Sequence, residues 1–186
     1  MIDIRPETRR DVAAREALLD EAFGPARFAK TAQRLREGRQ PAEHLSFVAG
    51  RDGTLIGTVR LWNVSAGPCL PALLLGPLAV ARQRRNAGIG AALVRHALAA
   101  AAARGYGAVL LVGDAAYYGC FGFSSEKTGA LSLPGPYERE RLLACELRPG
   151  ALDGACGLVS ATGRTAAPAR LVHNGGASLP RAARAR

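Results

Sequence analysis

The arrangement with the clearest chemistry in this sequence is a short turn in which arginines are followed by two glycines. Residues 85–90 read Arg-Asn-Ala-Gly-Ile-Gly, and Arg82 and Arg84 come just before them. The alanine-rich stretch that follows favours a helix beginning at Gly88. The first N–H groups of a helix have no partner within it and lie at the positive end of its dipole, and glycine lets a ligand approach the backbone closely. The turn therefore predicts a binding site for an anion such as a phosphate.

Two common phosphate-binding motifs do not describe this turn. A P-loop has Lys and then Ser or Thr after its last glycine, and neither Gly88 nor Gly90 is followed by that pair. A dinucleotide-binding fingerprint has a third glycine where this sequence has Leu93, and it opens a first βαβ unit that the chain lacks. Alone, the turn is equally compatible with a tight loop before a helix, so its surroundings decide its interpretation.

A second cluster, rich in glycine and aromatic residues, follows the predicted helix. Residues 113–123 read Gly-Asp-Ala-Ala-Tyr-Tyr-Gly-Cys-Phe-Gly-Phe, directly after an apolar run over 108–112. The run predicts a buried strand, and a strand–helix–strand unit implies a right-handed crossover between parallel strands. Asp114 is a suitable cap for a short helix over 114–120. The unit is therefore strand, turn, helix, strand and short helix.

This combination resembles the GNAT superfamily of acyl-CoA-dependent N-acetyltransferases. The resemblance covers about residues 73–123, and the upstream elements are compatible with the family's order. The segment 113–123, with Pro-Gly-Ala-Leu at 149–152, is similar to one bacterial subgroup of predicted acetyltransferases whose acceptors are poorly defined as a group. The resemblance implies an α/β (α+β) fold with a central mixed, mostly antiparallel sheet, a splayed parallel pair of strands and flanking helices.

The resemblance also implies acetyl-CoA as the co-substrate, with no metal. In this family the signature turn wraps the pyrophosphate of coenzyme A. The turn residues implied to bind it are Arg85, Asn86, Ala87, Gly88, Ile89 and Gly90. The Arg85 side chain would add a charge-assisted contact, whereas Arg82 and Arg84 could do the same or remain solvated.

The strand before the turn is implied to hold the pantetheine arm. In the family this strand carries a bulge and separates from its parallel neighbour, and the arm inserts there like an extra strand. Leu78, Ala79 and Val80 match that position, and one N–H near Ala79 or Val80 would polarise the thioester carbonyl. Gly76-Pro77 fits the break, because proline cannot donate to a strand ladder. A plain buried strand is the alternative.

Tyr118 lies four residues before Gly122, at the place of the family's tyrosine acid. Acyl transfer to an amine expels a thiolate, and a free thiol has a pKa of about 8.5, so protonating it on departure lowers the barrier. The resemblance therefore implies that Tyr118 is the catalytic acid, although a core aromatic is the alternative. Tyr117 projects about 100° away on a helix and is expected to pack or to contact the acceptor.

The general base that would take the proton of the attacking amine is not evident. The strand predicted over 70–81 has no ionisable side chain, and Cys69 lies just outside it. Asp114 could serve, although capping a helix is its favoured role, and Glu43 and His44 are weaker candidates. The remaining possibilities are a water chain and an amine that arrives neutral.

The other elements follow from periodicity and turn signals. Strands are predicted at residues 2–5, 45–49, 55–64, 70–81, 108–112 and 141–147. Helices are predicted after the Thr8 cap up to Phe23, and over 26–37, 88–104 and 114–120. Asp52-Gly53 predicts a hairpin turn.

Length and charge favour one domain with a basic tail. The 186 residues are 48% hydrophobic and carry a net charge of +10. Five of the 25 basic residues and none of the 15 acidic ones lie in 164–186. We therefore predict a single GNAT domain over 1–163 and a disordered Ala/Arg-rich tail over 164–186. A nucleic-acid arm is the alternative for the tail, but the folded part lacks interleaved basic and aromatic residues, so nucleic acid is not expected as the main partner.

Cysteine and histidine spacing predicts no metal site. The four cysteines (Cys69, Cys120, Cys145, Cys156) are far apart, and the three histidines (His44, His96, His173) form no ligand pattern with them. Free thiols suit a reducing compartment, the charged N-terminus does not resemble a signal peptide, and no apolar run is long enough to cross a bilayer. We therefore predict a cytoplasmic protein.

The sequence thus predicts an N-acetyltransferase that moves an acetyl group from acetyl-CoA to a primary amine by direct attack in a ternary complex. The acceptor stays open between a small amine, an antibiotic, an amino acid, a peptide N-terminus and a protein lysine. Arg60, Trp62, Asn63 and Tyr117 are candidates to line its site. The alternative is a non-catalytic acyl-CoA-binding module, which the missing strand acid motivates, and the family also allows a homodimer.

Overall fold

An eight-stranded sheet organises residues 2–166, the part of the chain that the computed structural model describes. The strands are β1 (Asp3–Pro6), β2 (Ser46–Arg51), β3 (Thr54–Ala66), β4 (Pro71–Val80), β5 (Ala108–Val112), β6 (Leu131–Ser132), β7 (Leu142–Glu146) and β8 (Gly157–Ala161). The main path runs β1-β2-β3-β4-β5-β7, and β8 pairs with β3 and β6. Only β4–β5 and β6–β8 are parallel. The predicted mixed, mostly antiparallel sheet is therefore confirmed.

Four α-helices accompany the sheet in the described residues. They are α1 (Val12–Phe23), α2 (Thr31–Arg34), α3 (Ile89–Ala103) and α4 (Ala115–Tyr118). The predicted helices that correspond to α1, α3 and α4 are confirmed within a few residues at each end. No helix within residues 2–166 combines the length and apolar character needed to span a bilayer.

The helix predicted over 26–37 is wrong. A 3-10 turn covers Pro25–Ala29, Lys30 is extended at φ −65° and ψ 136°, and α2 is a single turn. Contacts with a distant loop compete with helix propensity here, because the Thr31 hydroxyl donates to the Pro136 carbonyl and the Arg34 guanidinium donates to the Pro134 carbonyl. The chain between α1 and β2 is consequently an irregular arm that covers one end of β4.

Helix α3 packs closely on one face of the sheet. Its buried residues are Ile89, Leu93, Val94, Ala97 and Ala101. Gly57 on β3 permits this approach, since a Cβ there would lie 2.9 Å from the Leu93 Cδ1 atom. A second apolar cluster, which includes Trp62, Leu74, Leu110 and Leu152, fills the opposite face. The start of α3 is thereby fixed beside the end of β4.

The C-terminal part of the domain contains two strands that sequence analysis missed. In β8 only Val159 is buried, so the strand lacks the alternation of a half-buried strand. Further along, Thr165 bridges Arg39 and the Ala166 N–H donates to the Gly38 carbonyl. The folded chain thus continues a few residues past position 163, and residues 167–186 of the predicted tail lie outside the described residues.

Candidate functional site

Strands β4 and β5 separate after a very short parallel pairing. The paired positions are Leu73 with Val109 and Leu74 with Leu110. On its other edge β4 shifts register against β3, so that Gly76 and Pro77 lie opposite the single residue Arg60. This is a β-bulge, which bends a strand away from its neighbour. The splayed pair and the break at Gly76-Pro77 are therefore as the sequence predicted.

The bulge is held from inside the protein by Trp62. The indole Nε1 of Trp62 donates a buried hydrogen bond of 2.6 Å to the Gly76 carbonyl. Beyond the bulge, Leu78, Ala79 and Val80 still pair with β3, but in residues 2–166 no strand pairs with them on the β5 side. That edge of β4 is open to an extended ligand, which could add hydrogen bonds like an extra strand.

The turn before α3 offers a row of unpaired N–H groups. Asn86 and Gly88 have left-handed backbones with φ of 63° and 75°, and such turns form concave nests of N–H groups that favour anions. From residue 86 to residue 91 no N–H meets a hydrogen-bond acceptor within residues 2–166. The first bond of the helix runs from the Ala92 N–H to the Gly88 carbonyl. The structure therefore places all six predicted turn residues at one N-terminus.

Tyr117 lies at this same end of α3. A Cβ on Gly90 would lie 2.8 Å from the Tyr117 hydroxyl and 3.6 Å from the Val80 side chain. Tyr117 is half-exposed and does not line the cavity described below. Its hydroxyl therefore lies at the turn that the sequence assigns to phosphate, whereas the sequence suggested packing or the acceptor as its role.

Tyr118 lies at the opening between the splayed strands. Its ring packs against Gly113, whose missing side chain makes room for it, and the Phe123 ring centroid is 5.8 Å away. Its hydroxyl has no hydrogen-bond partner within residues 2–166. Burial, and secondly the neighbouring Tyr117, raise the pKa of Tyr118 to about 12. The phenol therefore keeps its proton at neutral pH.

A cavity of about 470 Å³ opens beside Tyr118. One wall is β4 around the bulge, from Leu75 to Leu78, and another is the end of β5 at 112–114. The irregular arm between Phe23 and Arg36 and the loop over 136–141 close the other sides. This volume suits a small-molecule site.

Cations outnumber acids in the lining of this cavity. The ionisable residues besides the tyrosines are Arg27, Lys30, Arg36, Arg141, Asp114 and Glu138. Burial and then the charge of Arg27 lower the pKa of Arg36 to about 10. Burial, followed by Arg141 and Arg36, lowers the pKa of Lys30. These cations are therefore close enough to repel one another.

Of the candidate bases that the sequence offered, only Asp114 lines the cavity. The Asp114 Oδ1 atom accepts a 2.9 Å hydrogen bond from the Ala116 N–H and caps α4, which was its favoured role. Glu43 and His44 are highly exposed and lie outside the cavity, and so does Cys69. Strand β4 itself carries no acid, and the other acid in the cavity lining is the exposed Glu138.

The predicted acceptor residues on β3 do not line the cavity. Arg60 binds the buried Glu7 carboxylate, which also binds Arg15. The Asn63 Oδ1 atom accepts a 2.9 Å hydrogen bond from the Tyr106 hydroxyl, and Trp62 binds Gly76 as described. Sequence analysis missed the arm and loop residues that do line it, because no local pattern links them.

The described part of the chain contains no cluster of metal-ligating side chains. Among residues 2–166, no three or more His, Cys, Asp or Glu side chains are grouped so that they could hold an ion. The four cysteines are present as free thiols.

Comparison with known proteins places these features in a family. Residues 12–123, which span α1 to α4, match the model of the Acetyltransferase (GNAT) family. Escherichia coli (strain K12) YhbS, described as an uncharacterized N-acetyltransferase, is 34% identical over 158 residues, 84% of this chain and 93% of that protein. The E. coli YhbS structure in complex with CoA has a TM-score of 0.73 at 32% identity, covering 86% of this chain and 89% of that one. A Brucella melitensis GNAT family acetyltransferase in complex with acetyl-CoA has a TM-score of 0.56 at 27% identity, covering 77% and 95%.

Proposed function

Because this chain belongs to the GNAT family of acetyltransferases, we propose that it moves an acetyl group from acetyl-CoA to a primary amine by direct attack in a ternary complex. The observation that carries the proposal is the row of unpaired N–H groups from residue 86 to 91, which lies beside the splay of β4 and β5. A diphosphate needs such donors, and a thioester arm needs the open strand edge next to them.

The cofactor residues in this proposal are those that the sequence predicted. The backbone N–H groups of Asn86 to Gly90 bind the diphosphate, while the Arg85 N–H donates to the Arg82 carbonyl and the Arg85 guanidinium adds a charged contact at the surface. Leu78, Ala79 and Val80 offer backbone groups to the pantetheine arm on the open edge of β4, and one N–H polarises the thioester carbonyl. Relatives crystallised with CoA and acetyl-CoA support acetyl-CoA as the ligand of this site.

Tyr118 is the catalytic acid in this proposal. When the amine attacks the thioester carbon, the carbon–sulfur bond breaks and the sulfur leaves as a thiolate. The buried phenol keeps its proton at neutral pH, because its pKa is raised to about 12. It can therefore donate a hydrogen bond and then a proton to the sulfur. Burial also raises the pKa of the departing thiol, so that the difference between the pKa of the Tyr118 phenol and the pKa of the thiol becomes smaller.

The attacking amine must lose a proton without an acid on β4. A cavity lined by Lys30, Arg36 and Arg141 disfavours a further positive charge, so it lowers the pKa of a bound amine. The proton leaves to water, since the cavity opens to solvent. We therefore propose that the amine attacks in its neutral form, and that no residue of β4 acts as base.

The proposal concerns the folded chain up to Ala166 as one catalytic unit. We place the protein in the cytoplasm, where its four free cysteines stay reduced. A homodimer is compatible with the proposal, and the site uses residues of one chain alone.

Calorimetry and a thiol-release assay test the proposal. Acetyl-CoA should bind with a saturable heat signal, and an amine panel should release free coenzyme A. A chain that does not bind acetyl-CoA at millimolar concentration overturns the proposal. Saturable binding with no transfer to any amine supports instead a non-catalytic acyl-CoA-binding module, the alternative that the missing acid on β4 favours.

A further inference from the structure

We infer that the acceptor amine carries a carboxylate or a phosphate group, which the cavity binds through Arg36, assisted by Lys30 and Arg141. The inference rests on the proposed function, because it names the class of acceptor for that site. It is carried by the position of these cations and by the absence, among residues 2–166, of a carboxylate within 4.0 Å of Lys30 or Arg36, although Asp114 and Glu138 also line the cavity.

The cations of the cavity differ in how fully they are neutralised. Arg27 is paired twice, with its Nη2 atom 2.6 Å from Glu16 Oε2 and its Nε atom 2.9 Å from Asp20 Oδ1. Among residues 2–166, neither Lys30 nor Arg36 has a carboxylate within 4.0 Å.

Arg141 and Asp114 also line the cavity, and each has one partner within the protein. Arg141 has only a long contact of 3.7 Å to the exposed Glu138. Asp114 uses an oxygen to cap α4. The positive charge without a close carboxylate partner therefore lies on Lys30, whose Nζ atom is 4.5 Å from the Phe23 ring centroid, on Arg36 and, in large part, on Arg141.

Arg36 is oriented so that its free nitrogen atoms are available at the reaction end of the cavity. Its Nε atom donates a 3.0 Å hydrogen bond to the Ala32 carbonyl, which fixes the direction of the guanidinium. Its two Nη atoms have no acceptor within residues 2–166. The Nη1 atom is 4.0 Å from the position of a Cβ on Gly76, so it lies beside the bulge of β4. A planar guanidinium with free N–H groups matches the two oxygen atoms of a carboxylate or phosphate.

The electrostatics of the cavity agree with this geometry. Burial and like charges lower the pKa of Arg36 to about 10 and lower that of Lys30, which means that the charged forms are disfavoured where they lie. With a pKa of about 10, Arg36 still carries its proton at pH 7. An anion bound between Arg36 and Lys30 would relieve the repulsion and gain charge-assisted hydrogen bonds.

This arrangement separates the classes of acceptor that the sequence left open. Polyamines, aminoglycosides and lysine-rich peptides bring several positive charges into a cavity that already has an excess of them. A small amine with one oxyanion group, such as an amino acid or a phosphoamine, fits both the charge and the volume of about 470 Å³. We therefore expect acidic or zwitterionic small amines to be the acceptors.

Matched acceptor pairs test the inference. Thiol release is measured with glycine against glycinamide, and with O-phosphoethanolamine against ethanolamine, at saturating acetyl-CoA. The anionic member should have the higher kcat/KM by about tenfold or more, in line with a charge-assisted pair. Glycinamide has the less basic amine, so that pair is biased against the expected result. The pair with the larger ratio distinguishes a carboxylate from a phosphate.

Variants then connect the preference to the cavity. Arg36→Gln should reduce the ratio of kcat/KM between the anionic and the neutral member of a pair to less than about threefold. Lys30→Gln, which also removes the contact of the Lys30 Nζ atom with the Phe23 ring at 4.5 Å, should reduce this ratio by a smaller factor. Arg51→Gln removes an equal charge at the β2–β3 hairpin, outside the cavity, and should leave the ratio unchanged.

A binding measurement without turnover distinguishes failure of this inference from failure of the proposed function. N-acetylglycine and N-acetylglycinamide are titrated by calorimetry into the wild-type protein and into Arg36→Gln. Stronger binding of the acid by wild type alone supports the inference even if acetyl-CoA is not bound. Equal or absent binding of both compounds, or neutral and polycationic amines that are acetylated as well as anionic ones, overturns it, while the acetyltransferase proposal then stands or falls on its own assay.

Discussion

The two ends of the candidate site are built in different ways. At the start of α3, the proposed anion site consists of backbone N–H groups from one stretch, residues 86–91. In the cavity, the groups proposed to bind the acceptor are side chains from the irregular arm and from the loop over 136–141, with β4 as a wall. The first kind of site depends on a local backbone conformation, whereas the second depends on tertiary packing between distant segments.

This difference predicts that the two ends respond differently to substitution. A backbone nest survives most side-chain changes, since it needs only glycine or a similar residue at the left-handed positions. A side-chain site changes with one substitution such as Arg36→Gln. We expect the largest effects of substitution at the cofactor end and the smallest at contacts on the margin of the site.

The charge preference of the nest is tested most strongly at Gly88. Its φ of 75° is left-handed, and a Cβ there meets nothing within 4 Å. Asn and Asp both tolerate this backbone and have nearly the same shape. Gly88→Asp should weaken acetyl-CoA binding by more than about 100-fold, because a carboxylate would face the diphosphate, whereas Gly88→Asn should weaken it by less than about tenfold. Calorimetry at low and high salt measures both.

Salt provides the control for this pair. Added salt should reduce the difference in acetyl-CoA affinity between the two variants, because it screens electrostatic repulsion at an exposed site. Equal losses for Asn and Asp at all salt concentrations would mean that backbone strain alone matters, and that the turn does not hold the diphosphate.

The two adjacent tyrosines separate chemistry from binding. Tyr118→Phe keeps the ring against Gly113 and removes only the hydroxyl, so kcat should fall by about 30- to 100-fold, near the low end for a lost general acid. The dissociation constant of acetyl-CoA should stay within about twofold. Tyr117→Phe, whose hydroxyl lies near Gly90, should change the dissociation constant more than kcat. Thiol release and calorimetry on both variants give these values.

The pH profile adds an independent readout for Tyr118. An unperturbed phenol would lose its proton near pH 10, but burial raises the pKa of this one to about 12. The raised pKa keeps the acid protonated, so kcat should not decline between pH 8 and about 10.5 through this group. A fall in kcat with a midpoint near 10 that disappears in Tyr118→Phe would contradict the burial assigned to the phenol.

The cofactor end was largely predictable from sequence, because its signals are local. Gly88 and Gly90 follow Arg85 and precede an alanine-rich helix, and Gly76-Pro77 interrupts an apolar strand. Each of these residues controls backbone conformation within a few positions of itself. The strand break, helix start and short capped helix were therefore predicted near their observed positions, while the roles of the site residues stay predictions.

The acceptor end could not be predicted, because its residues meet only in the folded chain. Arg36 was assigned to a regular helix, but anchoring of Thr31 at Pro136 replaces that helix by an arm beside the bulge. Asn63, a candidate from the sequence, instead accepts a structural hydrogen bond from the Tyr106 hydroxyl. No periodicity or turn signal contains this information, since it depends on contacts over about a hundred positions of sequence.

Trp62 joins the two ends, since it fixes the bulge between them. Trp62→Phe leaves the buried Gly76 carbonyl without its 2.6 Å donor, which should lower the free energy of unfolding by about 1–3 kcal/mol. Because the bulge sets the open edge of β4, kcat/KM should also fall, by about tenfold. Tyr106→Phe is the matched control, since it removes a 2.9 Å side-chain hydrogen bond to Asn63 on the same strand.

Urea denaturation and steady-state kinetics on both variants give the comparison. The control should lose stability by about 1 kcal/mol and retain its kcat/KM. An equal loss of kcat/KM in the two variants would mean that any destabilisation of β3 lowers activity. The hydrogen bond of the Trp62 indole would then have no specific role in shaping the site.

The smallest effect is expected at the exposed arginines before α3. Substitutions there distinguish a specific contact of Arg85 with the diphosphate from the general positive charge of the surface. Arg85 directly precedes the nest, whereas Arg82 lies in the 3-10 turn Arg82–Arg84, and all are exposed. Arg85→Gln should weaken acetyl-CoA binding by about three- to tenfold at low salt. Arg82→Gln should change it by less than about twofold. Calorimetry at two salt concentrations measures both. Equal losses that vanish together at high salt would reduce Arg85 to one of several surface charges, and the diphosphate would then be bound by the backbone N–H groups alone.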